Sequence, residues 1–480
     1  MSLSRRRFLA STTASVAAAG LLGSQASASP LLAGAASTAA DEASKSPNEQ
    51  PVVGFIGTGI RFHTSLGRGA TAFGPCKKIA DVDMAQAGRA WQVMMDVARD
   101  YNRPIDMTIH EDYRHVLDDP EIDVVVIASP DHWHTKQVCE ALDAGKDVYC
   151  EKPLTLTIAE GAMIEKAIEK SGGIVQVGTQ QRTEMDQRFA TAAAMARQGR
   201  AGEITRLDCA IGGSRDAVEL PKVDVPTHLN WEKWLGQCPM VDYREAPEIN
   251  DTSGWGAGHP FSRAHHYYRW WYEYSGGKLT DWGAHHVDIA MLAMDKLGKD
   301  IGPITIEPLE VTHPVEFKGG YPTQDDRFNA ATAFKVKCTF DDGLVMMVRD
   351  TAEDELGFDN GIMFRGSGGK YLVNRGKLVG APVEELKSKP LDGDIFEQLY
   401  GQPKPSSHMA NFFECVKSRK QPISDVPSHN AMLNVCHAVN IAMRLGKTLT
   451  YDPKTQTFGD DELANSFLSR TPREGYEITV

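Results

Sequence analysis

Between residues 51 and 178, short and mainly apolar runs alternate with stretches whose apolar positions recur at helical spacing. Residues 51–57 (PVVGFIG), 77–80, 107–110, 122–128 (IDVVVIA), 147–150 and 173–178 read as strands, and 84–100, 111–118, 135–144 and 157–171 as helices. The 122–128 run is the most hydrophobic of these, so it belongs at the centre of a sheet covered on both faces. Strands alternating with helices of this length wind βαβ units into a parallel sheet. The prediction is a Rossmann-type, doubly wound α/β domain over 51–178.

Beyond Gly178 the period changes. Residues 204–213, 304–317, 331–340, 344–350, 361–365 and 370–374 read as longer strands joined by tight turns, such as Asp341-Asp342-Gly343. That pattern predicts a second, α+β domain over 179–452, built on a mostly antiparallel open sheet. Two helices fall within 406–444, and 453–480 reads as a surface tail. A sheet with one face left uncovered by helices predicts a homo-oligomer through that face. The stretch 231–282 holds tryptophans 231, 234, 255, 270, 271 and 282, interleaved with Gly, His, Arg and Tyr. Flat apolar faces with polar edges suit a pyranose ring, so part of this cluster, Trp271 included, reads as a sugar-facing wall, with core packing as the near-equal alternative.

The segment before residue 51 changes the picture of where the chain works. Ser4-Arg5-Arg6-Arg7-Phe8-Leu9 precedes an alanine-rich stretch, and Ala26-Ser27-Ala28 offers a small-residue cleavage site. This order predicts a twin-arginine (Tat) export signal over 1–28, a linker over 29–50 and a periplasmic destination. The full chain is 41% hydrophobic and 24% charged, an ordinary globular balance. A formal net charge of −13 without a basic block argues against nucleic acid, and no apolar run reaches membrane-spanning length. Eight cysteines without C-x-x-C spacing read as small buried hydrophobes, and no ligand cluster calls for a metal.

Four places carry candidate chemistry. Gly57-Thr58-Gly59-Ile60-Arg61-Phe62 leaves the first strand as a glycine turn that lets backbone approach a pyrophosphate, though Phe62 stands where the third glycine of G-x-G-x-x-G would be. Asp81, ending the second strand, suits the adenosine ribose hydroxyls and favours NAD over NADP; Asp83 is a rival, and Lys77 and Lys78 keep NADP open. The strongest stretch is Glu151-Lys152-Pro153 at the end of the fifth strand, where a sheet presents side chains to a ligand crevice. Downstream, Asp281, His285 and Asp288 fall at i, i+4 and i+7, on one face of a helix, as an imidazole beside a carboxylate that could act as general base.

Together these motifs resemble the glucose–fructose oxidoreductase/inositol dehydrogenase (Gfo/Idh/MocA) family, with Gly57-x-Gly59, Pro130-x-x-x-His134, Glu151-Lys152-Pro153 and Asp281-x-x-x-His285 as the carriers. The resemblance implies that Lys152 hydrogen-bonds the reacting oxygen, that His285 takes the hydroxyl proton and that Asp281 assists. It implies a cofactor site of Gly57, Gly59, Ile60, Arg61, Asp81, Ser129, Pro130, His132, His134, Glu151, Lys152 and Gln180. Lys152, Arg182, Trp271, Asp281 and His285 become the substrate contacts. The expected activity is an NAD(P)-dependent oxidoreductase moving a hydride to or from a secondary hydroxyl of a sugar, cyclitol or glycoside. Export implies a cofactor retained through the cycle. A redox glycosidase and a non-enzymatic dinucleotide sensor are the alternatives.

Overall fold

The computed structural model describes residues 50–103, 106–252, 254–298, 300–352, 356, 358 and 360–480, so the predicted leader and nearly all of the linker lie outside the described residues. Strands β1 (Val53–Ile56), β2 (Cys76–Ala80), β3 (Thr108–His110), β4 (Val124–Ile127), β5 (Asp147–Cys150) and β6 (Val175–Val177) form a six-stranded sheet in the order β3-β2-β1-β4-β5-β6. Every pairing in it is parallel. The order reverses between β1 and β4, and a crevice opens there at the strands' carboxyl ends. All four residues of β4 are buried, as its unbroken apolar run requires.

The principal helices are α1 (Met84–Asp100), α2 (Asp131–Asp143), α3 (Ile158–Ser171), α4 (Arg188–Arg197), α5 (Gly283–Ala293), α6 (His408–Ser418) and α7 (Val426–Leu445). Asp83 caps α1 by accepting from the Ala85 and Gln86 N–H groups. Helix α2 starts at Asp131 rather than 135. Pro130, at φ −61°, presets the entry, and the Asp131 carboxylate suits the positive helix end. Helix α4 (RFATAAAMAR) escaped the pattern reading because alanine gives little contrast between faces.

A second sheet contains β7 (Ile204–Ala210), β8 (Ile304–Thr312), β9 (Ala333–Thr339), β10 (Val345–Arg349), β11 (Gly361–Gly366), β12 (Gly369–Val373), β13 (Leu378–Val379) and β14 (Leu449–Tyr451). Their order is β13-β12-β11-β7-β10-β9-β8-β14, antiparallel except between β7 and β10. The strand predicted over 304–317 ends at Thr312. Pro314, without an N–H, cannot continue the ladder. In β9, Phe334, Val336 and Cys338 are buried and alternate with half-buried Lys335 and Lys337, so helices cover one face only. Helix α6 crosses back to the parallel sheet. Phe413 stacks on Phe73 (4.7 Å), Phe412 meets Tyr149 edge-on (5.7 Å), and Gln176 donates to the His408 carbonyl (2.7 Å). Among the described residues no helix is long and apolar enough to cross a membrane.

One buried ion pair joins the two halves. Arg182, in the turn after β6, donates from Nε to Asp288 Oδ2 (2.8 Å) and from NH2 to Oδ1 (2.6 Å). Its NH1 reaches the Ile423 carbonyl (2.7 Å) and Ser428 Oγ (2.9 Å). Arg182 is 1% exposed and Asp288 0%. Such a pair is costly to half-remove, because the remaining charge stays buried. Asp288→Asn or Arg182→Met should lower unfolding free energy by about 3–5 kcal/mol in a denaturant titration, and Arg182→Met with Asp288→Leu should recover much of it. Full stability in either single variant would remove the pair from this role.

Buried neutral histidines add an acid limit. His286 Nδ1 accepts from Gln181 Nε2 (3.2 Å) and its Nε2–H donates to Asn360 Oδ1 (2.9 Å), an arrangement that fits the neutral ring. Burial pushes His286 down to about 4, the Asn360 bond opposing, and burial lowers His437 to about 4 as well. Both folded values lie below the ordinary 6.5, so this stability is present above pH 6.5 and is lost as pH falls toward 4. The loss should run at about 1.4 kcal/mol per pH unit for each ring. Denaturation midpoints between those limits should fall with pH, and less steeply in His437→Gln; a flat profile would contradict the assignment.

Candidate active site

A cleft of about 310 Å³ opens at the carboxyl ends of β1, β2 and β4, lined by Gly57, Gly59, Ile60, Arg61, Asp81, Ser129 and Pro130 among others. Gly57 has φ +83°, and a Cβ there would lie 2.4 Å from the Ser129 nitrogen, so only glycine fits. A Cβ on Gly59 would meet nothing within 4 Å, which leaves room for a ligand against the backbone. Phe62 is buried edge-on against Phe55 (5.0 Å), and residues Phe62–Leu66 form a wide π-helical turn.

Asp81 is held ready. Its Oδ2 accepts from the Thr58 N–H (2.7 Å) and Thr58 Oγ1 (2.9 Å), and its Oδ1 from the Asp83 N–H (2.9 Å). Burial holds this carboxyl above its ordinary value, against the pull of those hydrogen bonds. Its rival Asp83 is committed to capping α1 and to His228 Nδ1 (2.8 Å). Lys77 and Lys78 pair with Glu121 and Asp119, and neither lines the cleft. The open glycine turn and the preset acid fit an adenosine ribose and pyrophosphate.

The chain leaves β5 as Glu151-Lys152-Pro153 with the Lys152–Pro153 peptide cis. Glu151 Oε1 accepts from Arg61 NH2 (2.6 Å) and Gln180 Nε2 (3.2 Å), and Gln180 also donates to the Tyr149 hydroxyl (3.0 Å). Burial alone would raise the Glu151 carboxyl; Arg61, Lys152 and Gln180 outweigh it and hold it below the usual range. His134 bridges the ends of two strands, its ring nitrogens facing the Pro153 carbonyl (2.7 Å) and the Ser129 carbonyl (2.9 Å). Glu151, Gln180 and His134 therefore brace the cleft from behind.

Lys152 Nζ donates to Asp281 Oδ1 (2.5 Å) and to the Asp281 carbonyl (3.0 Å). Burial would raise Asp281, but Lys152, Arg269 and Lys278 hold it well below the carboxylate range. Trp282 stays helical between Gly277–Asp281 and α5, so the i, i+4, i+7 spacing survives. Its three members have separate fates. Asp281 meets Lys152, Asp288 meets Arg182, and buried His285 Nδ1 has no partner among the described residues. Burial first, then Lys152 and Arg375, push the His285 imidazole well below its ordinary value, with Asp281 opposing.

Three predicted contacts are corrected. His132 Nε2 bonds the Trp234 carbonyl (2.9 Å) inside the aromatic cluster, because the helical turn points it away from the side that His134 occupies. Arg182 is consumed by Asp288 and cannot touch a substrate. Trp271 is 0% exposed, packed edge-on against Phe328 and under Arg263, so packing claims it. Residues that pattern reading passed over include Thr58, Tyr268, Arg269, Lys278, Arg375 and Tyr476. Lys278 shares a turn with Asp281 and was within reach of that motif; Arg375, after β12, carried no local signal. Among the described residues no His, Cys, Asp and Glu group could hold a metal.

Residues 52–179 match the oxidoreductase family with an NAD-binding Rossmann fold, and 213–478 match its C-terminal alpha/beta domain. The chain is 33% identical over 151 residues to the scyllo-inositol 2-dehydrogenase (NAD(+)) of Bacillus subtilis, covering 30% of this chain and 42% of that one. It is 33% identical over 134 residues to the inositol 2-dehydrogenase of Salmonella typhimurium, covering 27% and 37%. The matched stretch thus spans less than half of these curated relatives. Among solved structures, the WlbA dehydrogenase from Bordetella pertussis, in complex with NADH and UDP-GlcNAcA, shares the fold at TM-score 0.54 and 15% identity, over 83% of this chain and 98% of that one. Levoglucosan dehydrogenase, in complex with NADH and levoglucosan, does so at 0.53 and 18%, over 84% and 99%. Both halves of the chain therefore answer to one family, and this protein is an NAD-binding member of the Gfo/Idh/MocA oxidoreductases.

Proposed function

We propose that the chain is a dehydrogenase or oxidoreductase acting on a secondary hydroxyl of a sugar, cyclitol or glycoside. The observation that carries this reading is the Lys152–Asp281 contact with the unpartnered His285 nitrogen beside it. Gly57, Gly59, Ile60 and Arg61 would hold the pyrophosphate, Asp81 the adenosine ribose, and Ser129 and Pro130 the cleft wall. Bound there, the nicotinamide supplies the hydride acceptor or donor. Lys152 would donate to the substrate oxygen and stabilise negative charge as its proton leaves. His285, held neutral, would receive that proton, and Asp281 raises its affinity for it.

Cofactor retention belongs to the same proposal. The tail reaches the mouth of the cleft, where Gly475 and Tyr476 join its lining. Tyr476 donates to Glu232 (2.9 Å) and meets Trp133 edge-on (5.7 Å). Arg473 donates to the Gly236 (2.9 Å) and Glu232 (2.8 Å) carbonyls, and Lys136 to that of Glu477 (2.7 Å). A strap with this many anchors slows dinucleotide exit, which suits a protein exported with its cofactor. The export itself rests on the twin-arginine and Ala26-Ser27-Ala28 signals. Self-association through the uncovered face of the second sheet is proposed on the same footing.

Lys152→Ala should cut NADH formation by about 10²–10⁴-fold, read against a panel of sugars and inositols, while NAD stays bound by mass spectrometry. Near-native turnover in that variant would remove Lys152 from the chemistry. Tyr476→Ala should speed NAD dissociation by about tenfold, followed by nucleotide fluorescence after dilution. An unchanged rate would detach the strap from retention. Aryl glycoside release that needs NAD yet leaves no net NADH would replace the dehydrogenase with a redox glycosidase.

A further inference from the structure

The proposed hydride-transfer site carries positive charge that neither its carboxylates nor a dinucleotide accounts for. Asp281 is engaged by Lys152 (2.5 Å), with Arg269 Nε 4.0 Å away. Lys278, in the turn that ends at Asp281, and Arg375, just beyond β12, are both partly buried, and neither has a carboxylate within ion-pair distance among the described residues. Aromatic rings and an amide hold them instead. Lys278 Nζ lies 5.5 Å from the Trp270 ring centre and 5.7 Å from that of Trp282. The Arg375 guanidinium lies 4.5 Å from the Trp282 ring, and its Nε donates to Gln181 Oε1 (3.1 Å).

The acids that Arg375 senses are already in use. Asp281 serves Lys152, Glu151 serves Arg61, and Glu184 accepts from the His408 N–H (3.2 Å). Burial lowers the proton affinity of both Lys278 and Arg375, the expected sign for cations taken from water without a counter-ion. The cofactor's phosphates do not supply one. Arg61 and Arg269 line the dinucleotide cleft, but Lys278 and Arg375 do not. Both cations instead gather at Trp282, whose indole lies edge-on to His285 (6.2 Å).

We propose that the substrate is an acidic sugar or cyclitol derivative, whose carboxylate, sulfate or phosphate group is received by Lys278 and Arg375 beside Trp282. The two terminal nitrogens of Arg375 suit paired oxyanion oxygens, and Lys278 adds a point charge. The assignment rests on the hydride-transfer reading, since it places the oxyanion next to the hydroxyl that Lys152 and His285 address.

The test is titration calorimetry on the NAD-loaded protein with glucuronate, gluconate, a glucose sulfate ester, a glucose phosphate ester and glucose, with NADH absorbance followed in parallel. At least one acid should bind about tenfold or more tighter than glucose, with the margin shrinking as salt is raised. The best arm identifies the oxyanion. Lys278→Gln and Arg375→Gln should each collapse the acid-to-neutral ratio, and Arg375→Lys should restore part of it. Acids binding no better than glucose, or a ratio unmoved in both glutamine variants, overturns the proposal. Preferential acid binding without any NADH supports it while refuting the dehydrogenase reading.

Discussion

The helix that carries His285 is tied to the parallel sheet by a guanidinium and a carboxylate that cannot reach water. Arg182 belongs to the parallel sheet's last turn and Asp288 to the helix that carries His285. Their two parallel hydrogen bonds fix distance and rotation together, which a hydrophobic contact of similar area would not. Helix α5 packs on α4 and α7 around this point, and the helical turn just before it, ending at Asp281, meets Lys152. The geometry of the proposed site is thus set by an interaction buried away from the cleft. Buried pairs often add little net stability, so orientation is the more economical account of its presence.

From that anchor, charge is arranged in layers. Glu151 neutralises Arg61 at the back of the cleft, and Lys152 reaches Asp281 across the gap between the sheets. Burial first, then Lys152 and Arg375, suppress protonation of His285, so an uncharged ring nitrogen is available in an otherwise ionic region. A second proton there would be taken out of water and would also meet Lys152 and Arg375 in low dielectric, so the neutral ring is favoured.

Much of this was legible along the chain. The six parallel strands announce themselves because both faces are covered, leaving runs such as VVVI without polar interruption. Glu151-Lys152-Pro153 and Gly57-Thr58-Gly59 could be placed because they follow directly from strands, where a sheet must expose its ends. What stayed hidden concerned direction rather than position. His132 and His134 are nearly adjacent, yet a helix rotates each residue by about 100° from the last, so one braces the cleft and the other enters the aromatic core. Arg182 looked like a substrate contact because no local pattern reveals a carboxylate 106 residues away. Trp271 was ambiguous for the opposite reason: a ring that suits a sugar also suits Phe328 and Arg263.

The strap has a consequence for how the protein is made. Lys136 and Glu477 are 341 positions apart, yet they meet at the rim of one dinucleotide cleft. A ribosome releasing this chain exposes the glycine turn and Asp81 long before the segment that closes over them. If the tail retains the dinucleotide as proposed, the first sheet would during that interval sample nucleotide without holding it. Tight occupancy would then report that both sheets have docked, turning a bound coenzyme into a maturation checkpoint that cells or experimenters could read.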